Sequence, residues 1–232
     1  MAVGILSIGM TLVATMFPLA MHLTAVAAER TIAAVVADQA FAKIQLYGVV
    51  DFTNTNWGSD PCENCVDFND VVGSVPSTTI AAAEFAYPAM EPNSTSQYYW
   101  SALCRKANSV SSDRTVQVIV FVSRKRGAGL TYQGFDQPVP VLVDVTSNSS
   151  NKLNITNTGD EKLINSGSVI VDNTAGQMYR VIERSADDST VVILDRNWDA
   201  DTPAPDKVWV VAPPDSGGAE PVIAVFQKLI KF

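Results

Sequence analysis

The hydrophobic positions of this chain fall into three regimes. From Met1 to Ala28 there is no Asp, Glu, Lys or Arg, and the first charges are Glu29 and Arg30. Ile5, Leu6, Ile8, Leu12, Val13, Met16, Phe17 and Leu19 leave no polar side, a pattern that predicts a helix surrounded by lipid or by copies of itself. At about 1.5 Å per residue this stretch spans about 40 Å, enough to cross a hydrocarbon layer of about 30 Å. After Glu29 the apolar residues contract to one stripe, Ile32, Val35, Val36, Ala40, Ile44 and Tyr47, at the spacings of three and four that share a helix face. Gly48 is a natural C-terminal stop. The prediction is one helix of about 70 Å, apolar all round in its first half and amphipathic in its second. Pro18 removes a backbone donor and crowds the carbonyl of Ala14, so a kink or a short unwound stretch is expected there. Thr11 and Thr15 can bond their hydroxyls to the helix's own carbonyls. A cleaved signal peptide fits poorly, because no basic segment precedes the run and the helical pattern continues past any cleavage point.

From Val49 onward the texture changes to turn residues and short β-type runs. Asp51 to Ser77 is rich in Asn, Asp, Ser, Gly and Pro and reads as a constrained loop. Strands are expected at 115–123, 139–145, 168–171, 178–183, 190–194, 208–211 and 222–230, each β-branched and bounded by turns. The stretch 168–194 reads as a meander with turns at Asn173 to Gly176 and Ser185 to Ser189. Gln97 to Ala107 fits helix or strand, and the alternation of Tyr99, Ser101, Leu103 and Arg105 favours strand.

Composition narrows the function classes. A net charge of -8 and a pI of about 4.6 disfavour nucleic acid as a partner. The run Arg124, Lys125 and Arg126 is too short for a phosphate-binding patch and reads as a solvated strand end. Cys62, Cys65 and Cys104 fall short of a four-ligand zinc site, and a disulfide is the simpler reading, with Cys62–Cys65, Cys62–Cys104 and Cys65–Cys104 all open. The single histidine, His22, lies in the apolar helix as a packed or interfacial residue. Asp187, Asp188, Asp195, Asp199, Asp201 and Asp206 do not match a calcium loop and read as acidic turns. Sequons at Asn93, Asn148 and Asn154 would be surface acceptors in an exported, glycosylated protein. No nucleophile elbow, phosphate loop, dinucleotide fingerprint or zinc-protease motif occurs, so neither an enzyme nor a cofactor or metal site is expected.

The run MAVGILSIGMTLVATMFPLAM, with Pro18 inside a long apolar helix and a β-rich head behind it, resembles the type IV pilin and type II secretion pseudopilin family. The segments YYWSALCRKA, DRTVQVIVFVSRK, VWVVAPP and PVIAVFQKLIKF are similar to heads of pilin-like proteins of planctomycete bacteria. The resemblance implies an α+β fold, with a filament-core or membrane helix over 1–48 and an extracytoplasmic β-rich head over 49–232, subdivided near 146. It implies a helix bearing Ile5, Leu6, Leu12, Val13, Met16, Phe17, Pro18 and Leu19 in the filament core. Glu29, Arg30, Ile32, Val35, Val36, Ile44, Asp38 and Lys43 would pair between subunits or with the head. The implied partners are copies of this chain, the pilus or secretion assembly machinery, and the inner membrane before assembly. The family's acidic residue near the start of the mature helix and its basic leader are missing here, which implies either a precursor beginning upstream of Met1, the preferred reading, or a divergent subunit without that residue, as in some tip-type minor subunits. The alternative class is a membrane-anchored envelope protein with a binding head that does not polymerise.

Overall fold

The computed structural model describes residues 2–49, 57, 64–72, 80–88, 96–108, 113–125, 127, 129–149, 151–198 and 206–232. Helix α1 (Ala2–Tyr47) runs for 46 residues. It passes through Pro18 without interruption, so the short unwound stretch expected there is not formed. Proline removes only one bond of the ladder, and the helix formers on both sides hold the remainder. Thr24 and Thr31 donate their hydroxyls to Ala20 O and Ala27 O, at 2.8 and 3.0 Å. Gly48, at φ 70°, ends the helix, its N–H returning to Ile44 O at 3.0 Å; positive φ is cheap only for glycine.

Beyond the helix lie β1 (Val66–Asp67), α2 (Phe68–Val71), β2 (Ala86–Tyr87), β3 (Tyr98–Lys106) and β4 (Thr115–Arg124). They are followed by β5 (Pro140–Ser149), β6 (Lys152–Ile155), β7 (Val169–Asp172), β8 (Met178–Arg184), β9 (Val191–Leu194), β10 (Asp206–Val211) and β11 (Val222–Lys231). The fold is α+β, a long apolar helix followed by a β-rich head. Two sheets share the strands. The first is antiparallel in the order β1-β3-β4-β11, with β2 also on β3; the second closes as a six-stranded barrel, β10-β5-β6-β9-β8-β7. Since β11 pairs with β4 from Val222↔Ser123 to Lys231↔Thr115, the whole barrel is inserted between two neighbouring strands of the first sheet. The crossings between sheets occupy 125–139 and 212–221, while residue 146 lies inside β5.

Side-chain alternation along β3 and β4 creates three layers. Trp100, Ala102 and Cys104 on β3, with Val116, Val118, Val120 and Val122 on β4, face α1 and join Ala33, Val36, Ala37, Ala40, Phe41 and Ile44 in one core. Three alanines on the helix face let its backbone lie close to the sheet. Leu103, Ile119 and Phe121 point the other way and pack with Val171 and Val211, supported by Met178 and Trp209, on one wall of the barrel. The barrel has its own interior, including Val143, Val145, Leu153, Ile170, Tyr179, Val192, Val208 and Val210. A strand whose two faces are both covered reads as a continuous apolar run, which is why TVQVIVFVS gives no alternation.

The 97–107 segment forms a strand, and the meander at 168–194 forms as β7, β8 and β9 with turns at the expected places. Strand β6 and the two-residue strands β1 and β2 carry too few β-branched residues to be marked by sequence.

Candidate functional site

The helix is the chain's most exposed apolar element, and its two halves meet different surroundings. Met10, Met16, Phe17, Leu19, Met21 and Leu23 project freely, Phe17 with 67% of its surface open. Ile5, Leu6, Leu12 and Val13 lie in α1, with side chains outside the described set. In the second half, Val36 and Ile44 are buried and Ile32 packs on their cluster. Val35 departs from the expected stripe: it is 49% exposed, because one helical step from Val36 rotates it about 100° away from the sheet. Leu46, 82% exposed, shares the outer side. His22 is also exposed.

Among the described residues, two ion pairs fasten the helix to the head. Lys43 Nζ meets Glu84 Oε2 at 2.7 Å and also donates to Glu84 O at 2.7 Å, while the Trp100 indole donates to that same carbonyl at 3.0 Å. Arg124 donates to the Glu29 carboxylate. Arg124 is therefore not a solvated strand end: β4 delivers it to the point where α1 leaves the head. Lys125 donates to Asp136 O, and Arg126 lies outside the described residues. Arg30 and Asp38 are exposed.

The barrel is locked to the sheet through the turn between β7 and β8. Cys65 N–H donates to Asn173 O at 2.6 Å, Arg105 Nε to Thr174 O at 2.6 Å, and Gln117 Nε2 to Gly176 O at 3.0 Å. Asn173 accepts from the Trp209 indole at 2.8 Å and donates to Asn64 Oδ1 at 2.6 Å. Asp172, fully buried, accepts from the amides of Thr174 and Ala175 at 2.9 and 3.1 Å. Burial pushes its carboxyl above the usual range, with nearby Asp206 adding to the rise against those amides. None of these junction residues announces itself in sequence, apart from the turn chemistry of Asn173 to Gly176.

Cys65 and Cys104 are buried free thiols, so the Cys65–Cys104 pairing is not formed; Cys62, and with it the other two pairings, lies outside the described residues. The reason is facial. Val66 sits opposite Cys104, so Cys65, one residue earlier, joins the barrel-side cluster while Cys104 faces the helix. Burial pushes the Cys65 thiol up to about 12 and the Cys104 thiol higher still, the environment of an inert structural thiol. Of the sequons, Asn93 lies outside the described residues, as does the Asn148 side chain. Asn154 stands half-buried within β6, its Oδ1 shut from solvent.

The described acidic residues mostly serve turns. Asp188 Oδ1 accepts from the Thr190 amide and hydroxyl at 2.9 and 2.6 Å, and Asp195 Oδ1 from the Arg180 amide at 3.0 Å. Asp206 is buried at the start of β10; Asp199 and Asp201 lie outside the described residues. Among the described residues no cluster of three His, Cys, Asp or Glu is arranged to hold a metal. No family model matches this chain, and no curated protein or solved structure is similar to it.

Proposed function

We propose that this chain is a structural subunit of a type IV pilus-like filament, held in the inner membrane before assembly and carried to the cell surface or periplasm in the polymer. The observation that carries the reading is the length of the exposed apolar side of α1. Large apolar side chains are open from Met10 through Met16, Phe17, Leu19, Met21 and Leu23 to Val35 and Leu46, about 54 Å along the axis at about 1.5 Å per residue. A hydrocarbon layer of about 30 Å covers only part of that distance, whereas the same helix from neighbouring copies covers all of it. Exposed apolar surface recurring along a helix, here densest over Met10 to Leu23 and continued by Val35 and Leu46, supports an interaction site. The Glu29–Arg124 and Lys43–Glu84 pairs fix the head on the other side of the helix, leaving the outer flank open for such neighbours.

A second reading has its own support: Ala14–Tyr47 is long and apolar enough to cross a membrane, which suits a single-pass envelope protein with a binding head. The two readings diverge in one experiment. The chain is purified in detergent with cysteine introduced at Ala20 or at Leu46, the detergent is removed, and cross-linking is combined with negative-stain microscopy. Helical filaments with cross-links between copies at both positions are expected. Monomers that stay in vesicles without such cross-links would reject the filament.

A further inference from the structure

Where the two sheet-to-barrel crossings meet, the head encloses a recess of about 300 Å³. Three segments build it. One is the tight loop closed by Tyr132 and Phe135, whose amides and carbonyls bond reciprocally at 2.8 and 3.0 Å. The second is the 3₁₀ turn Asp160–Leu163 with the residues just after it, and the third is the crossing that carries Pro213, Pro214 and Asp215.

Asp215 ties the first segment to the third. Its N–H donates to Thr131 O at 2.9 Å, and its carboxylate accepts from the amides of Gln133 and Gly134 at 2.9 and 3.3 Å. A further bond from the Thr131 hydroxyl, foremost, then these amides and the nearby Lys162 charge hold its carboxyl below the usual range. The one carboxylate on the wall is thus already engaged by protein groups. Two cations line the same recess, Lys162 and Arg184. Arg184 is positioned by its Nη2, which donates to Ile164 O at 2.5 Å and to Glu161 O. Neither cation belongs to an ion pair among the described residues. Asp160 and Glu161 flank Lys162 on its turn but do not line the recess. Leu163 and the two prolines give an apolar wall, while Gln133 and Asn165 add side-chain amides.

Cations on a chain of net charge -8 normally find a carboxylate, and Lys162 does lie near Asp215, whose carboxyl it helps hold low although that carboxylate is already engaged by two amides. Here the fold keeps two of them facing a recess at a junction between structural units, where small-molecule sites favour a few placed polar groups on an apolar lining. We propose that this recess binds a small oxyanion, a carboxylate or phosphate group of a soluble molecule. Arg184, held by its Nη2, offers its remaining Nη1–H donors and its charge, and Lys162 a point charge, with the Gln133 and Asn165 amides in support. This site is independent of filament assembly.

The test is an amide-resolved NMR titration of the full chain in neutral detergent micelles, with inorganic phosphate, with galacturonate, and with sodium chloride at matched ionic strength. Saturable shifts at Gln133, Asn165, Gly217 and Gly218 are expected from phosphate or galacturonate with a Kd of about 1 mM, and whichever saturates names the source of the oxyanion. Lys162→Ala, an exposed change that leaves the packing intact, should weaken binding by about fivefold or more. Arg184→Lys should weaken it further, because lysine cannot keep both carbonyl bonds and still present donors to the recess. Shifts that chloride reproduces, shifts that never saturate, or unchanged binding in Lys162→Ala would each overturn the site.

Discussion

Replacing Gly176 by alanine tests whether the β7–β8 turn locks the barrel to the sheet. Gly176 has φ +65°, and a Cβ there would lie 2.7 Å from Gln117 Nε2, 3.3 Å from Gln117 Cδ and 3.4 Å from Arg105 Cδ. Neither neighbour can retreat without loss. Gln117 is buried in β4 and donates to Gly176 O, while Arg105 donates to Thr174 O. The left-handed backbone costs an alanine about 1 kcal/mol, and displacing Gln117 leaves a buried amide unsatisfied at about 1–3 kcal/mol. The sum is about 2–4 kcal/mol. Gly129 is the control: its φ is +75° with nothing within 4 Å of an added Cβ, so Gly129→Ala carries only the backbone cost of about 1 kcal/mol. Urea unfolding of both variants, with amide exchange at Cys65 and Thr174, measures the difference. A double-mutant cycle with Gln117→Ala should show coupling of about 1 kcal/mol or more. If Gly176→Ala and Gly129→Ala cost the same, or the cycle is additive, the turn is not the lock described here.

Three further outcomes are expected. Ile44→Ala, in the helix–sheet core, should cost about 2–5 kcal/mol; Leu46→Ala, two residues on and exposed, should leave subunit stability within about 0.5 kcal/mol yet weaken assembly, a split readable by comparing denaturation with filament yield. Cys65 and Cys104 should resist iodoacetamide in the folded chain and label fully in urea without reductant, as mass spectrometry would report; labelling that needs reductant would show a disulfide instead. Glu220 accepts from the Ser168 hydroxyl at 2.6 Å, while its Oε1 is buried without a partner, and burial raises its pKa from 4.5 to about 7. Because the folded state holds the proton more tightly than the unfolded one, this stabilisation is complete below about pH 4.5 and is lost as pH rises through about 7, roughly 3 kcal/mol in all. Glu220→Gln should therefore flatten the fall in melting temperature between pH 5 and 8, and an unaltered profile would remove Glu220 as its source.

The helix was legible because its signal is local. An apolar run from Met1 to Ala28 without a charge, then a one-sided stripe ending at Gly48, specify a long helix and one buried face whatever lies behind it, as expected of strong periodicity. The meander and strand β4 were legible for the same reason, since β-branched runs between turn residues report strand-forming tendency directly. Val35 shows the limit of that signal: an apolar residue beside the stripe reads as part of it until the sheet fixes which way the helix is turned. The same local information left every cysteine pairing open, and could not say that Cys65 faces the barrel while Cys104 faces the helix.

Sequence alone determined that this chain begins with a long apolar helix and continues as a β-rich head. Tertiary structure decided that the head is two sheets, one inserted between neighbouring strands of the other, and that Glu29 and Lys43 bind Arg124 and Glu84. It also brought Gly176 against Gln117, and Lys162 and Arg184 to one recess. These pairings join positions far apart in the chain, and closure of such contacts depends on register and on which face each strand presents, information that no run of neighbouring residues contains.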